Sequence, residues 1–307
     1  MTLLYQNRGV PPPFQFIMSN ILVTGATGGL GKAVVDNLLK TISPDSISVL
    51  VRDPAKAADL QAQGVAVKQG DYNDYASLVA AFQGVDKLFL VSSNDIPNRV
   101  PQHTNAVNAA KEAGVKHVVY TSFQRKTEDG SSAAWSIAEA HLATEKLLKE
   151  SGLTYTILKN ALYLDVLPLF MGPVLDTHTL YLPAEGGKVP YASRADMGAA
   201  GAAVLTGTDH ENQSYDISND TSYSFSDIAK ILSDLSGTSI QYVSPTAEEF
   251  GTALAAAGVP AGAIELTASF CVAIAHGEFD FPATDLEKLL GRKPESAEQF
   301  LKATYQL

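Results

Sequence analysis

Ile21-Leu22-Val23-Thr24-Gly25-Ala26-Thr27-Gly28-Gly29-Leu30-Gly31 decides how this chain is read. An apolar run ends in a turn with glycines at 25, 28 and 31, and a helical pattern follows at once. Strand, glycine turn and helix N-terminus together are what a dinucleotide fingerprint needs. Gly25 lets the chain turn sharply, Gly28 lets the backbone approach a diphosphate, and Gly31 lets the new helix pack close. The first helical N–H groups have no partner inside the helix, so they can face phosphates, and the helix dipole favours that charge. Gly25, Thr27, Gly28, Gly29, Leu30 and Gly31 are therefore the first cofactor-binding candidates. A glycine turn of purely structural purpose is the plainer alternative.

Outward from the turn, the first half alternates strand and helix. Strands are expected at 20–24, 46–52, 65–69, 86–92, 116–121 and 153–158, and helices at 32–41, 54–63, 75–82, 102–113 and 133–151. Leu88-Phe89-Leu90-Val91 is a continuous apolar run, which suits a strand buried on both faces of a parallel sheet. Asp74 can cap one helix, and Gly114 and Gly152 close two others. The second half is mixed. Capping boxes are expected at Ser193 with Asp196, Ser224 with Asp227 and Thr246 with Glu249, and short strands at 180–182, 213–217 and 240–243. The Gly- and Ala-rich stretch 198–203 suggests a helix packed closely on the sheet. The expected fold is α/β: a Rossmann doubly wound parallel sheet with a smaller, interwoven α/β C-terminal lobe. Residues 1–18 read as an arm or tag-like extension, 19–160 as the dinucleotide-binding domain, and 161–307 as mainly the substrate-binding lobe.

Composition bounds the partners. The 307 residues are 46% hydrophobic and 18% charged, a globular balance, and the net charge is −11. That acidity argues against nucleic acid or an anionic membrane as the main partner. The single cysteine, Cys271, excludes an intrachain disulfide and the Cys-pair zinc patterns, and its apolar neighbours make it core rather than nucleophile. A cytoplasmic location fits this reading, and a homodimer is compatible with it. The segment before Met18 holds only Arg8 and is broken by Pro11-Pro12-Pro13, which makes a poor signal peptide.

The end of the second strand selects the dinucleotide. An NAD site usually places an acidic residue there, to hold the ribose hydroxyls. Here Arg52 stands 21 residues past Gly31, with Lys56 one turn on, and both suit a 2′-phosphate. A charge-assisted contact of about 2 kcal/mol would favour NADPH roughly thirtyfold, with NADH still accepted. Asp53 can instead reach the ribose if the loop turns, and the plainer alternative for Arg52 is a solvated surface arginine. Asp71 and Tyr72 follow the third strand and either flank the adenine or make a turn into the next helix.

The glycine turn resembles the fingerprint of the NmrA-like group of atypical short-chain dehydrogenases. Val51-Arg52-Asp53-Pro54-Ala55-Lys56-Ala57, Gly70-Asp71-Tyr72, Pro101-Gln102-His103 and His141-Leu142-Ala143-Thr144-Glu145 resemble one branch closely. That branch holds type 2 NAD(P)H:quinone oxidoreductases and triphenylmethane reductases. Ordinary members of the superfamily carry a Tyr-x-x-x-Lys pair on the helix after the fifth strand. The resemblance implies a tyrosine acid–base and a lysine that lowers its pKa. Aligned on Glu145, His141 replaces the lysine and Ile137 the tyrosine, so the pair is absent. Tyr155 and Lys159 spell the motif elsewhere, but on a strand, where they lie about 13 Å apart and cannot act together.

That absence bears on reaction class. Reducing an ordinary ketone leaves an alkoxide that needs a positioned acid. Reducing a quinone or a cationic dye gives a delocalised or neutral product, so positioning the acceptor suffices. The expected activity is hydride transfer from NADPH to a quinone or similar planar acceptor. Ser92, Ser93 and Asn94 are expected to line the cofactor ribose, and Thr121 and Ser122 to face the nicotinamide. Asn160 joins the cofactor set. His141 is expected to hold the ribose or assist a proton, and Tyr163 to stack on a flat ring; Phe123 is a weaker candidate. Two rivals remain: a non-catalytic dinucleotide sensor that binds a regulatory protein, and a nucleotide-sugar epimerase or dehydrogenase, which the missing tyrosine disfavours.

Overall fold

A computed structural model describes residues 19–307, and the reading of residues 1–18 as an arm lies outside them. The first half contains β1 (Ile21–Thr24), α1 (Gly29–Leu38), β2 (Ile47–Val51), α2 (Ala58–Ala62), β3 (Ala66–Gln69), α3 (Tyr75–Phe82) and β4 (Lys87–Leu90). It continues with α4 (Arg99–Glu112), β5 (His117–Phe123), α5 (Trp135–Ser151) and β6 (Thr154–Asn160). The sheet runs β3-β2-β1-β4-β5-β6-β9, parallel throughout, and its seventh strand, β9 (Gln213–Ile217), is contributed from the second half. Strand order reverses between β1 and β4, the crevice where such sheets bind ligands.

Local chemistry explains where the elements begin. Asp74 caps α3 by accepting from the Ser77 N–H, and α5 ends at Gly152 with φ +81°. The first helix starts at Gly29, three residues before the expected position, because the glycine turn is itself the first turn of the helix. Residues 54–57 form a tight turn that delays α2 to Ala58. Helix α4 starts at Arg99 and tolerates Pro101 in its first turn, where the missing N–H has no helical partner to lose.

The rest of the chain adds α6 (Leu167–Met171), α7 (Val174–Thr177), β7 (Thr179–Tyr181), β8 (Lys188–Val189), α8 (Arg194–Thr206), β10 (Tyr223–Ser224) and α9 (Phe225–Ser236). Then follow β11 (Gln241–Val243), α10 (Ala247–Ala256), α11 (Ala261–Ala275), α12 (Asp285–Leu290) and α13 (Ala297–Tyr305). Two small sheets, β7 with β11 and β8 with β10, support a separate apolar core around Phe225, Phe250 and Phe279. The boxes at Ser224 and Thr246 close in both directions, as does one at Ser296 with Gln299. The expected box at Ser193 is only half made. Ser193 accepts from the Asp196 N–H, but the Asp196 carboxylate accepts from Arg292 Nη2 at 2.5 Å and the Glu295 N–H at 2.6 Å, which ties the C-terminal segment to α8.

Helix α8 meets the first half directly. A Cβ on Gly198 would stand 2.5 Å from the Ala33 Cβ, and one on Gly201 would stand 2.8 Å from the Phe89 ring. The glycines thus let α8 lie against α1 and the sheet.

Candidate active site

The glycine turn is a backbone cradle. Gly25 has φ +61°, and its carbonyl accepts from the Gly28 N–H at 2.9 Å. A Cβ on Gly31 would fall inside the Gly25 carbonyl, so this glycine is required by its own turn rather than by the strand. Gly28 caps α1 without a side chain, so no side-chain oxygen occupies the first-turn donors. Thr27, Gly28 and Gly29 are exposed, while the Leu30 side chain enters the core, leaving that residue only its backbone to offer.

The exit of β4 is pinned to its neighbours by side chains. Thr24 Oγ1 accepts from the Val91 N–H at 2.8 Å and donates to the Phe89 carbonyl. Thr121 Oγ1 accepts from the Ser92 N–H at 2.9 Å, and His103 Nε2 accepts from the Ser93 N–H at 3.0 Å. Backbone donors that would extend β4 are used here instead, which is why the strand stops at Leu90. The Tyr72 hydroxyl lies 2.6 Å from Thr24 Oγ1 and 2.8 Å from the Val91 carbonyl, so it braces the two strand exits. Asp71 accepts from the Asn73 N–H in a turn leading to α3, the plainer of its two expected roles.

Other expected residues are placed as follows. Arg52 and Lys56 are exposed at the end of β2, and among the described residues neither has an ion-pair partner. Asp53 Oδ1 accepts from the Ala55 N–H at 3.1 Å. The Ser122 hydroxyl donates to Glu145 in a short bond, and Glu145 also pairs with Arg125 at 2.9 Å. Ser93 Oγ accepts from the Asp95 N–H, and Asn94 is exposed beside it. Two buried atoms in this region, Ser92 Oγ and Asn160 Oδ1, have no partner. An uncapped helix start, an open glycine cradle and two orphaned polar atoms at the strand exits fit a bound dinucleotide.

His141 on α5 is 5% exposed. Its Nδ1 lies 2.8 Å from the Tyr120 hydroxyl, and Arg99 Nη1 faces its Nε2 at 3.4 Å. Burial first, and then the positive field of Arg99, hold the imidazole well below its usual pKa. The ring therefore favours its neutral form near pH 7. On its other side the ring lies 5.7 Å from Phe123, which joins Phe279, Phe270 and through it Phe170. His141 thus stands at a seam between a polar network and an aromatic cluster. Tyr163 carries the Arg194 guanidinium 4.7 Å above its ring, and burial pushes its hydroxyl up.

Three residues were not among the sequence candidates. Tyr120, fully buried on β5, supplies the hydroxyl that meets His141, whereas the superfamily pattern directs attention to the helix. Arg194 reaches over the glycine turn; a Cβ on Gly29 would stand 2.9 Å from its Cδ. Arg99 is buried beside His141. Both arginines occupy the first position of a helix, where the macrodipole disfavours a cation, and that misplacement is the signal that could have found them. Tyr155 and Lys159 do lie on β6, and Cys271 is buried with its thiol pushed up to about 12. Among the described residues no His, Cys, Asp and Glu group is arranged to hold a metal, and no helix is long and apolar enough to cross a membrane.

The NmrA-like family matches residues 18–301, and the chain belongs to it. Quinone oxidoreductase 2 of Escherichia coli is 39% identical over 88% of this chain and 93% of its own length. Its NADPH complex superimposes with a TM-score of 0.87, at 36% identity, over 93% of this chain and 99% of that one. Triphenylmethane reductase from Citrobacter gives 0.87 at 36% identity, over 94% of this chain and 100% of that one. NAD(P)H azoreductase of Xenophilus azovorans is 30% identical over 92% of this chain and 97% of its own length.

Proposed function

We propose that this NmrA-like chain is an NADPH-dependent oxidoreductase that passes hydride to quinones or similar flat conjugated acceptors. The observation that carries the reading is the seam at His141: a neutral ring where an ordinary dehydrogenase has lysine, with an aromatic cluster on one side and a guanidinium on the other. The relatives named for quinone, dye and azo reduction support it.

The bound cofactor supplies the hydride. The glycine turn and the first turn of α1 hold its diphosphate, with Arg194 over them. Arg52 and Lys56 meet the 2′-phosphate. Ser92 and Asn160, whose buried oxygens have no partner, would hold its nicotinamide half. The second core, around Phe225, Phe250 and Phe279, covers the acceptor. Tyr163 flanks the acceptor, and the aromatic cluster excludes water and orients a flat ring. Among the described residues no group at this seam is poised as a strong acid, which suits acceptors whose reduced form waits for a solvent proton.

The test is NADPH oxidation by the purified chain with a small quinone panel and a triphenylmethane dye, with NADH alongside. Turnover with NADPH preferred is the expected result. Tight NADPH binding without any turnover would leave the regulatory sensor in its place.

A further inference from the structure

Among the described residues Arg99 is a buried cation without an ion-pair partner. It is 7% exposed; its Nε donates to the Ser93 carbonyl at 2.7 Å, and Nη1 faces only the neutral His141. The carboxylates beside its neighbours Tyr120, Tyr163 and Ser93 are engaged elsewhere: Glu145 by Arg125 and Ser122, Asp165 by Arg194, Asp95 by Asn98 and Gln102. Among the described residues none pairs with Arg99. Tyr120 and Tyr163 share its field. An uncompensated buried guanidinium is costly, and such a charge persists where a negative charge comes to meet it.

We propose that Arg99 selects the acceptor by charge. It favours acceptors that bind neutral and become anionic on taking hydride, and it disfavours acceptors that bind as cations. This rests on the reductase reading and narrows it to the quinone class over triarylmethyl dyes. One hydride, carrying two electrons from the reduced nicotinamide, converts a neutral quinone to its hydroquinone monoanion, which then takes a proton from water. The same hydride converts a triarylmethyl cation to a neutral methane, with no proton needed. Arg99 stabilises the negative charge that forms in the first case and repels the positive charge that must bind in the second. His141 does not offset it, because the ring is neutral and presents its lone pair to the guanidinium.

The experiment compares kcat/KM for benzoquinone and for crystal violet in the unmodified chain, R99Q and R99K, with NADPH affinity measured by cofactor fluorescence. R99Q should lower the quinone value on the order of 100-fold while the dye value holds or rises, and R99K should keep most of the original ratio. A parallel fall for both acceptors, or an unchanged ratio, overturns the proposal. If the unmodified chain reduces neither acceptor, the reductase reading fails by itself. Arg99 is then judged by 4-nitrophenol, whose anion absorbs differently from its neutral form. The unmodified chain should bind it with a pKa about one unit below its solution value, a tenfold preference for the anion. An unshifted pKa, or no binding, overturns the proposal, and this arm needs no variant to fold.

Discussion

The Tyr120 hydroxyl lies 2.8 Å from His141 Nδ1, and the opposite ring nitrogen faces Arg99, so the proton of this imidazole sits on Nδ1. His103 holds the same tautomer. Its Nε2 accepts from the Ser93 N–H, and its Nδ1 lies 2.8 Å from Thr144 Oγ1, which itself donates to the Ala140 carbonyl. Protonating either ring would remove an acceptor that a fixed donor uses.

Stability should therefore fall as the solution turns mildly acidic. Burial, followed by the Arg99 charge, pushes His103 down to about 3; burial, followed by Lys87, pushes His117 down to about 4; His141 is also well below 6.5. Below pH 6.5 the unfolded chain binds these protons and the folded chain does not. Stability is thus full above pH 6.5 and is lost as pH falls toward the folded values. Each histidine contributes a slope of about 1.4 kcal/mol per pH unit in its window. Urea midpoints at pH 7.5, 6.5 and 5.5 should drop steadily, mostly before carboxylates titrate; a flat profile would contradict the buried neutral rings.

Arg194→Gln should weaken NADPH binding about tenfold with little change in stability. The guanidinium is about one-third exposed, so its ion pair with Asp165 at 3.7 Å contributes little to folding. Its place over Gly29 and the Tyr163 ring puts its value on the ligand side. Cofactor fluorescence titration beside a thermal melt separates the two effects. A lowered melting temperature with unchanged affinity would make the residue structural.

Arg52→Gln should cut the preference for NADPH over NADH by about tenfold, at the lower end of a charge-assisted contact because the side chain is exposed. Adding Lys56→Gln should remove most of what remains. NADH affinity should stay level, since NADH has no 2′-phosphate for these cations to meet. Dissociation constants for both cofactors at low and high salt give the answer, and equal losses for both would place Arg52 away from the 2′-phosphate.

What was legible in the sequence was whatever depends on neighbours in the chain. The glycine turn, the apolar run of β4, the Asp74 cap and the Gly152 stop all act within a few residues; the strand, cap and stop appear as read, and the helix after the turn begins three residues early. The site was legible only where a strand end predicts position. Whether a side chain is already occupied depends on residues far away. Ser122 is taken by Glu145, 23 residues on, and Asp196 by Glu295, 99 residues on, so neither engagement had a local pattern. Arg194 meets the turn at Gly29 only because α8 packs on α1.

That packing is itself testable. Gly198→Ala places a Cβ 2.5 Å from the Ala33 Cβ and 2.7 Å from the Ala33 carbonyl carbon, and backbone cannot rotate aside as a side chain can. The helices must separate, which should cost about 1–3 kcal/mol. The effect should not stop at stability. Helix α1 begins at the glycine turn proposed to hold the diphosphate, and Arg194 begins α8, so moving the two helices apart moves the turn from this cation. NADPH affinity should fall together with the urea midpoint. Gly251→Ala is the control. In α10 its Cβ would meet nothing nearer than Ile264 at 3.8 Å, so the substitution should leave affinity alone and raise stability by up to about 1 kcal/mol. If Gly198→Ala behaves like Gly251→Ala, the two helices do not approach as closely as described, and the position of Arg194 over the turn falls with that contact.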